Sequence, residues 1–357
     1  DPEGRMTRIK VAVIGCGHLG TIHARLLAGR TDAELVAVVD PCEAQRAKVA
    51  ADHGCLALAE PGEIVGRVDA AVVAAPTGLH AAVSLPLLER GVDLLVEKPI
   101  AASVEEARAI VTTARRHGRT VAVGHVERFN PAWRMAVARA GRIVALESSR
   151  LAPFTFRSMD VGVVHDLMIH DIDLVLSLGP GRLEHVDARG LRATGGHEDA
   201  VRANLVFSSG LSVSLTASRI NPVLRRGLTL WSSEGIVSVD FHGKSVEVIG
   251  PSGAVRSGSF VAAAVPPEER AGLRERFFTD VLPRDSLAIP DANAIACEHD
   301  DFLGAIRERR APLVPATAGA AALEIANRVL DALETTSLGG RDIRPTLPLP
   351  AALRRTG

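Results

Sequence analysis

The 357-residue chain contains no tyrosine. Dehydrogenases that use a tyrosine hydroxyl as their acid, the short-chain Tyr-x-x-x-Lys type included, are therefore excluded. Lysine is also scarce: Lys10, Lys48, Lys98 and Lys244 stand among 41 basic residues, and the rest are arginine. A lysine in a chemically useful position stands out, because an ammonium is compact and titrates, whereas a guanidinium keeps its proton. The four cysteines, Cys16, Cys42, Cys55 and Cys297, form no C-x-x-C pair. That argues against a disulfide scaffold or a cysteine zinc site and suits reduced thiols in a cytoplasm. No apolar run nears the ~18 residues that a membrane helix needs. A formal net charge of -1 gives no general attraction to nucleic acid or to an acidic membrane surface. With 47% hydrophobic and 23% charged residues the composition is globular, and the length suits roughly two domains. Asp1–Arg5, charged and carrying Pro and Gly, reads as an extraneous remnant ahead of Met6, with no signal peptide after it.

Short apolar runs alternate with helical stretches through the first third. Strands are predicted at Ile9–Ile14, Leu35–Val39, Ala70–Ala74, Val92–Val96 and Thr120–Val123, and helices at Leu19–Ala28, Glu43–His53, Gly78–Arg90 and Val104–His117. Nearly continuous apolar strands separated by helices indicate a parallel sheet covered on both faces. After Gly124 the pattern changes. One helix, Pro131–Ala140, precedes strands at Ile143–Arg150, Val201–Phe207, Leu211–Ala217, Leu228–Ser232, Ile236–Phe241 and Ser245–Ile249, many with period-two alternation. Helices follow at Asn293–Arg309 and Ala316–Leu333. The reading is an α/β domain over residues 1–124, an α+β domain with an open antiparallel or mixed sheet over 125–337, and an extended tail over 338–357. A sheet with helices on one side leaves an apolar face to cover, so a homodimer or homotetramer is expected.

Gly15-Cys16-Gly17-His18-Leu19-Gly20 is a G-x-G-x-x-G between a strand and a helix. Its glycines allow a tight turn, close approach of a pyrophosphate and close helix–strand packing, and the helix N-terminus offers free N–H groups. Asp40 ends the second strand, where its carboxylate would accept both ribose hydroxyls and repel a 2′-phosphate, favouring NAD over NADP. Pro76-Thr77-Gly78-Leu79-His80 follows a strand's carboxyl end, where ligands sit in such sheets. Thr77 would cap the next helix, contact the cofactor, or both, and His80 is either a site residue or a partly exposed helix histidine. Glu97-Lys98-Pro99 closes another strand, and Lys98 there is an active-site candidate. His165-Asp166-Leu167-Met168-Ile169-His170-Asp171-Ile172-Asp173 is the densest polar cluster. On a helix, Asp166, His170 and Asp173 share a stripe, so that Asp166 would orient the His170 ring and raise its pKa, as suits a general base. A metal held by His165, Asp166 and His170 lacks an evident further ligand, and no metal is expected.

These motifs, in this order and spacing, resemble the Gfo/Idh/MocA oxidoreductases over about Arg8 to Leu333. The resemblance implies a Rossmann domain joined to an open-sheet domain and NAD-dependent oxidation of a sugar hydroxyl, with Lys98, Asp166 and His170 as the catalytic set. It also implies cofactor contacts from Gly15, Gly17, His18, Leu19, Gly20, Asp40, Pro76, Thr77, His80, Glu97 and Lys98. Gly124-His125-Val126-Glu127-Arg128-Phe129-Asn130-Pro131, Arg150, Asp160-Val161-Gly162-Val163 and His170–Asp173 are similar to the nucleotide-sugar branch. That similarity implies oxidation at C3 of UDP-N-acetylglucosamine, with Arg128 and Asn130 touching substrate beside Lys98, Asp166 and His170. The alternatives are a free-sugar or inositol dehydrogenase, or a non-catalytic NAD(H)-sensing protein.

Overall fold

Residues 8–156, 161–194 and 196–338 are described by the computed structural model. The first five residues, Asp160 and all of the tail beyond Leu338 lie outside the described residues. Six parallel strands form the first sheet: β1 (Ile9–Ile14), β2 (Ala33–Val39), β3 (Leu56–Leu58), β4 (Ala70–Val73), β5 (Asp93–Glu97) and β6 (Val121–Gly124), in the order β3-β2-β1-β4-β5-β6. Helices α1 (His18–Ala28), α2 (Glu43–His53), α3 (His80–Glu89) and α4 (Val104–His117) cross between them. The strands β1, β4 and β5 are buried almost throughout, which is why the sequence shows runs rather than alternation there. This is the Rossmann arrangement. The strand order reverses between β1 and β4, and ligands bind outside the carboxyl ends of the strands at such a point. Local chemistry sets the helix ends: Ser103 accepts from the Glu106 N–H to cap α4, and Gly118 closes it at φ 61°.

The second domain starts with α5 (Pro131–Ala140) and β7 (Ile143–Leu151). After α6 (Ile169–Ser177) come β8 (Leu183–Arg192), β9 (Ala200–Phe207), β10 (Ser212–Ser218), β11 (Arg225–Ser232), β12 (Gly235–Asp240) and β13 (Ser245–Ile249). Short helices α7 (Gly253–Arg256) and α8 (Arg270–Glu275) precede β14 (Arg284–Leu287). The helices α9 (Ala294–Glu308) and α10 (Ala316–Asp331) and the strand β15 (Leu333–Ser337) follow. The nine-stranded sheet runs β14-β13-β12-β11-β7-β10-β9-β8-β15 and is mostly antiparallel, with β7–β10 and β8–β15 parallel. Its inner face packs Leu146, Val201, Leu205, Phe207 and Leu230 against Trp133, Met168 and Ile172.

The structure departs from the sequence reading in three places. The sequence pattern does not announce β3, β8, β14 or β15, and Leu333, the end of a helix in that pattern, begins β15. The uncovered sheet face is mixed rather than wholly apolar: Glu147, Asn204, Arg202, Thr229, Ser238 and Glu247 share it with Ala145, Trp231, Ile236 and Ile249, which stand side by side across β7, β11, β12 and β13. The late helices also serve both cores. Phe302 and Leu303 of α9, and Val314, Ala316 and Leu323 in and before α10, complete the packing of the first sheet, while Ala322, Ala326 and Val329 of α10 pack into the second. No helix among the described residues is long and apolar enough to cross a membrane.

Candidate active site

The loop from β1 to α1 is built for close approach. Gly15 has φ +96°, and a Cβ there would lie 2.5 Å from the Ala74 carbonyl oxygen at the end of β4. A Cβ on Gly20 would lie 1.8 Å from the carbonyl oxygen of Gly15, whereas Gly17 faces open space. Gly17, His18 and Leu19 are exposed. No side chain caps α1, so its first-turn N–H groups are free to meet an anion. Beside them Asp40, 9% exposed, accepts from the N–H of Cys16 and of Cys42, each at 2.8 Å. Burial, and then Asp40, pushes the Cys16 thiol up to about 12, so this cysteine stays a thiol. The open Gly17 flank, the free N–H groups and the fixed carboxylate fit the diphosphate and ribose of NAD.

Against this carboxylate a 2′-phosphate meets like charge, and NADH is expected to bind at least about tenfold tighter than NADPH. Asp40→Ser should narrow the gap, because Arg46, whose guanidinium lies against the Asp40 and Pro41 carbonyls, then faces the phosphate unopposed. Calorimetric titration checks both; equal affinities in the unmodified protein would remove Asp40 as the discriminator.

Pro76 and Thr77 lie in the loop after β4. Thr77 opens a 3₁₀ turn (Thr77–Leu79) but makes no capping bond. His80 is buried, with Nδ1 2.8 Å from the Pro99 carbonyl and Nε2 2.8 Å from the Ala75 carbonyl. It braces the two strand-end loops against each other, which corrects the expectation of a cofactor contact. Glu97 also turns inward. Its carboxylate meets His23 Nε2 at 2.9 Å, and His23 Nδ1 meets His299 Nε2 of α9 at 2.8 Å. Burial raises the Glu97 carboxyl, but His23 and then Lys98 outweigh it and hold it below its ordinary value. The side chain of Lys98 points the other way, across to the second domain, where Nζ donates to the Asp166 carbonyl at 2.7 Å and to its carboxylate at 3.3 Å.

Asp166 and His170 do not lie on a regular α-helix. Val164–Met168 forms a π turn ahead of α6, a widening frequent at functional sites. Glu198 accepts from the Val164 N–H at 3.1 Å and fills the space where a Gly162 Cβ would stand. The turn breaks the i, i+4 register that the sequence suggests. Asp166 pairs with Lys98, and Nδ1 of the half-buried His170 is sealed from solvent without a partner among the described residues. Nor is the His170 pKa raised: burial, then the charges of Lys98 and Arg150, hold it well below 6.5. The ring is therefore neutral at pH 7, with Nε2 available to a ligand. His165 bonds Asn327 instead.

The expected substrate contacts Arg128 and Asn130 are committed internally. Arg128 forks onto Asp173 at 2.7 and 3.3 Å. Asn130 caps α5 by accepting from Ala132 N–H at 3.0 Å and donates to Glu127. Arg150 joins the same lattice, donating to Asp171 at 2.7 Å and to Glu127 at 2.9 Å. These pairs tie the turn after β6 to α6 and fix the height of His170. Sequence reasoning assigned no role to His125, which is buried directly after β6 with neither ring nitrogen partnered among the described residues. A polar residue at a strand's carboxyl end is the signal that could have found it. A pocket of about 410 Å³ opens between the domains, lined by Thr77, Pro99, Val161, His165 and Glu198 among others, a size suited to a small ligand.

Comparison with known proteins gives two family matches. The oxidoreductase family with an NAD-binding Rossmann fold matches residues 9–125, and the GFO/IDH/MocA C-terminal domain matches 113–255. The chain is 32% identical over 330 residues to a UDP-N-acetylglucosamine 3-dehydrogenase of Acidithiobacillus ferrooxidans, covering 92% of this chain and 98% of the relative. It is 26% identical to a scyllo-inositol 2-dehydrogenase (NAD(+)) of Bacillus subtilis, covering 86% and 89%. A solved structure of the Acidithiobacillus ferrooxidans protein matches with a TM-score of 0.80 at 31% identity, over 92% of this chain and 99% of that one.

Proposed function

The chain belongs to the Gfo/Idh/MocA family of NAD-binding oxidoreductases, and from that premise we propose that it oxidises a nucleotide sugar, most closely C3 of UDP-N-acetylglucosamine, to the ketone. The observation that carries the chemistry is Lys98 reaching from the end of β5 to Asp166, one turn from His170 of the other domain. The relative aligned over 92% of the chain supports the choice of sugar.

NAD bound over Gly15–Gly20 and Asp40 supplies the hydride acceptor. The residues of the chain manage the proton and the charge. His170, neutral at pH 7, takes the hydroxyl proton on Nε2. Lys98 donates to the same oxygen and stabilises the negative charge developing on it. Asp166 fixes the Lys98 ammonium in place through both its carbonyl and its carboxylate. The buried Arg128–Asp173 and Arg150–Asp171 pairs hold the His170 helix at its distance from β5.

The uridine diphosphate lies far from the reacting carbon, and its binding energy can be used to position the sugar. UDP-N-acetylglucosamine should therefore show kcat/KM at least ~10²-fold above free N-acetylglucosamine. Steady-state reduction of NAD with both compounds and with myo-inositol measures this. A higher kcat/KM for a free sugar or for inositol would move the substrate to the free polyols, in line with the scyllo-inositol relative, and leave the dehydrogenase chemistry in place.

A further inference from the structure

Arg128, the arginine that the sequence offers as a substrate contact, is bound to Asp173. Another arginine of the second domain is not bound. Arg226 is exposed near the start of β11, and its side chain makes no hydrogen bond or ion pair among the described residues. An exposed arginine is ordinary; the place of this one is not. Leu228 and Leu230, two and four residues further along β11, are buried in the core of the second domain. Side chains alternate along a strand, so Arg226 stands on the same inner face. Its backbone is fixed there, the carbonyl accepting from the Phe241 N–H at 2.8 Å.

Directly opposite Arg226, in the antiparallel pair of β11 and β7, is Arg150. Arg150 shows where that face leads: its guanidinium reaches Asp171, the residue after His170, at 2.7 Å, and Glu127 at 2.9 Å. Opposite side chains in such a pair start about 4.5–5.5 Å apart, so Arg226 is rooted beside the group that holds the His170 helix. Its positive charge acts on both His170 and Glu127. The neighbouring cations are matched: Lys98 by Asp166, Arg128 by Asp173, and Arg150 by Asp171 and Glu127. Arg226 adds a positive charge that no acid answers among the described residues, opposite a like charge, an arrangement that destabilises a sheet. A bound anion would relieve it, and an exposed guanidinium is open to one.

Resting on the nucleotide-sugar reading above, we propose that Arg226 binds the diphosphate of the substrate and makes the site prefer a nucleotide-linked sugar to a free one. A guanidinium presents a planar fork of donors that fits two phosphate oxygens. The diphosphate leaves the sugar from C1 while C3 sits at His170 and Lys98. The phosphates therefore stand off the reacting oxygen by about the width of the sugar ring, a gap that a long side chain rooted beside Arg150 can bridge. A neutral polyol has no group that would use this charge.

Arg226→Gln keeps a polar side chain and removes the charge. It is expected to lower kcat/KM for UDP-N-acetylglucosamine by ~10–100-fold, as for the loss of one charge-assisted hydrogen bond. NADH affinity and turnover of free N-acetylglucosamine should stay within about twofold. The melting temperature should not fall, because a like charge opposite Arg150 is gone. Arg226→Lys should regain part of the rate. UDP alone gives a test independent of turnover. Titrated calorimetrically into the NADH complex, it should bind the unmodified protein and bind Arg226→Gln ~10–100-fold more weakly. Equal UDP affinities, an unchanged kcat/KM, or an equal loss on the free sugar overturns the proposal. If the unmodified protein prefers a free sugar or inositol and does not bind UDP, the nucleotide-sugar reading falls and this proposal with it. If it prefers the nucleotide sugar and Arg226→Gln does so equally, only this proposal falls.

Discussion

Alanine at Lys98 is expected to lower kcat/KM by ~10²–10³ and alanine at His170 by ~10²–10⁴, with NADH affinity nearly unchanged. The two groups come from different domains and converge on one place: Lys98 reaches Asp166 across the cleft, and His170 stands one turn further along. Loss of hydride from a carbinol carbon requires the oxygen to lose its proton, and His170 is the neutral base beside it. Removing the base leaves that step to water, and removing the ammonium leaves the developing charge unpaired. Lys98→Arg should also fail, since a planar fork cannot take the place of a compact ammonium between two oxygens of Asp166. Asp166→Asn should cost less, because the Asp166 carbonyl, the shorter of the two contacts, remains. Because burial and Lys98 depress the His170 pKa, its neutral form persists below the ordinary range. The acid limb of kcat/KM against pH should accordingly lie below 6.5. Retention by His170→Ala of more than about a tenth of the activity, where loss of a general base should cost ~10² or more, would identify another base, and His165 is the next to test.

Arg150→Met should destabilise the fold by about 3–5 kcal/mol, read from urea unfolding. Arg150 is 3% exposed and serves two carboxylates, Asp171 and Glu127. Burial lowers and the two carboxylates raise its pKa, with a net rise, so it is charged at any accessible pH. Without it the buried Asp171 loses its guanidinium partner, and Glu127 keeps only Asn130. The pair is not simply worth that energy: replacing all three members with well-packed apolar groups should recover most of it. A triple variant no more stable than Arg150→Met would mean that the loss comes from packing around the guanidinium stem. Removing Arg150 also frees α6, so activity in the single variant should fall in parallel with stability.

The strands of the first sheet were legible because burial on both faces leaves nothing but apolar residues, as in Ala70–Val73. Strand β8 was not, because LEHVDARGLR buries few side chains, and Gly190, against the Ala200 carbonyl, is inward-facing yet silent to hydropathy. β15 hid at the end of a helical pattern that runs through Ala316–Asp331. At the site, the residue types at strand ends pointed to Lys98 and Asp40. Partners did not show. Arg128 and Asp173 lie 45 positions apart, so an arginine that looks free in the sequence is already bound in the fold. The helical template also misjudged His170, because a π turn shifts register without any residue that announces it.

Strand β6 is the edge of the first sheet, and its backbone is closed by residues far along the chain. The Val123 N–H donates to the Val314 carbonyl, Ala122 bridges to Pro315, and Gly319 sits so close to Val123 that a Cβ would lie 2.7 Å from its side chain. This ties the order of synthesis to the risk of aggregation. An unpaired strand edge templates association with other chains, and here the cover is made long after the strand it protects. At ribosomal speeds of ~5–20 residues per second, the nascent sheet waits on the order of ten to forty seconds with that edge open. The exposure of that edge ends only when the stretch from Val314 to Gly319 has been made and docks on β6.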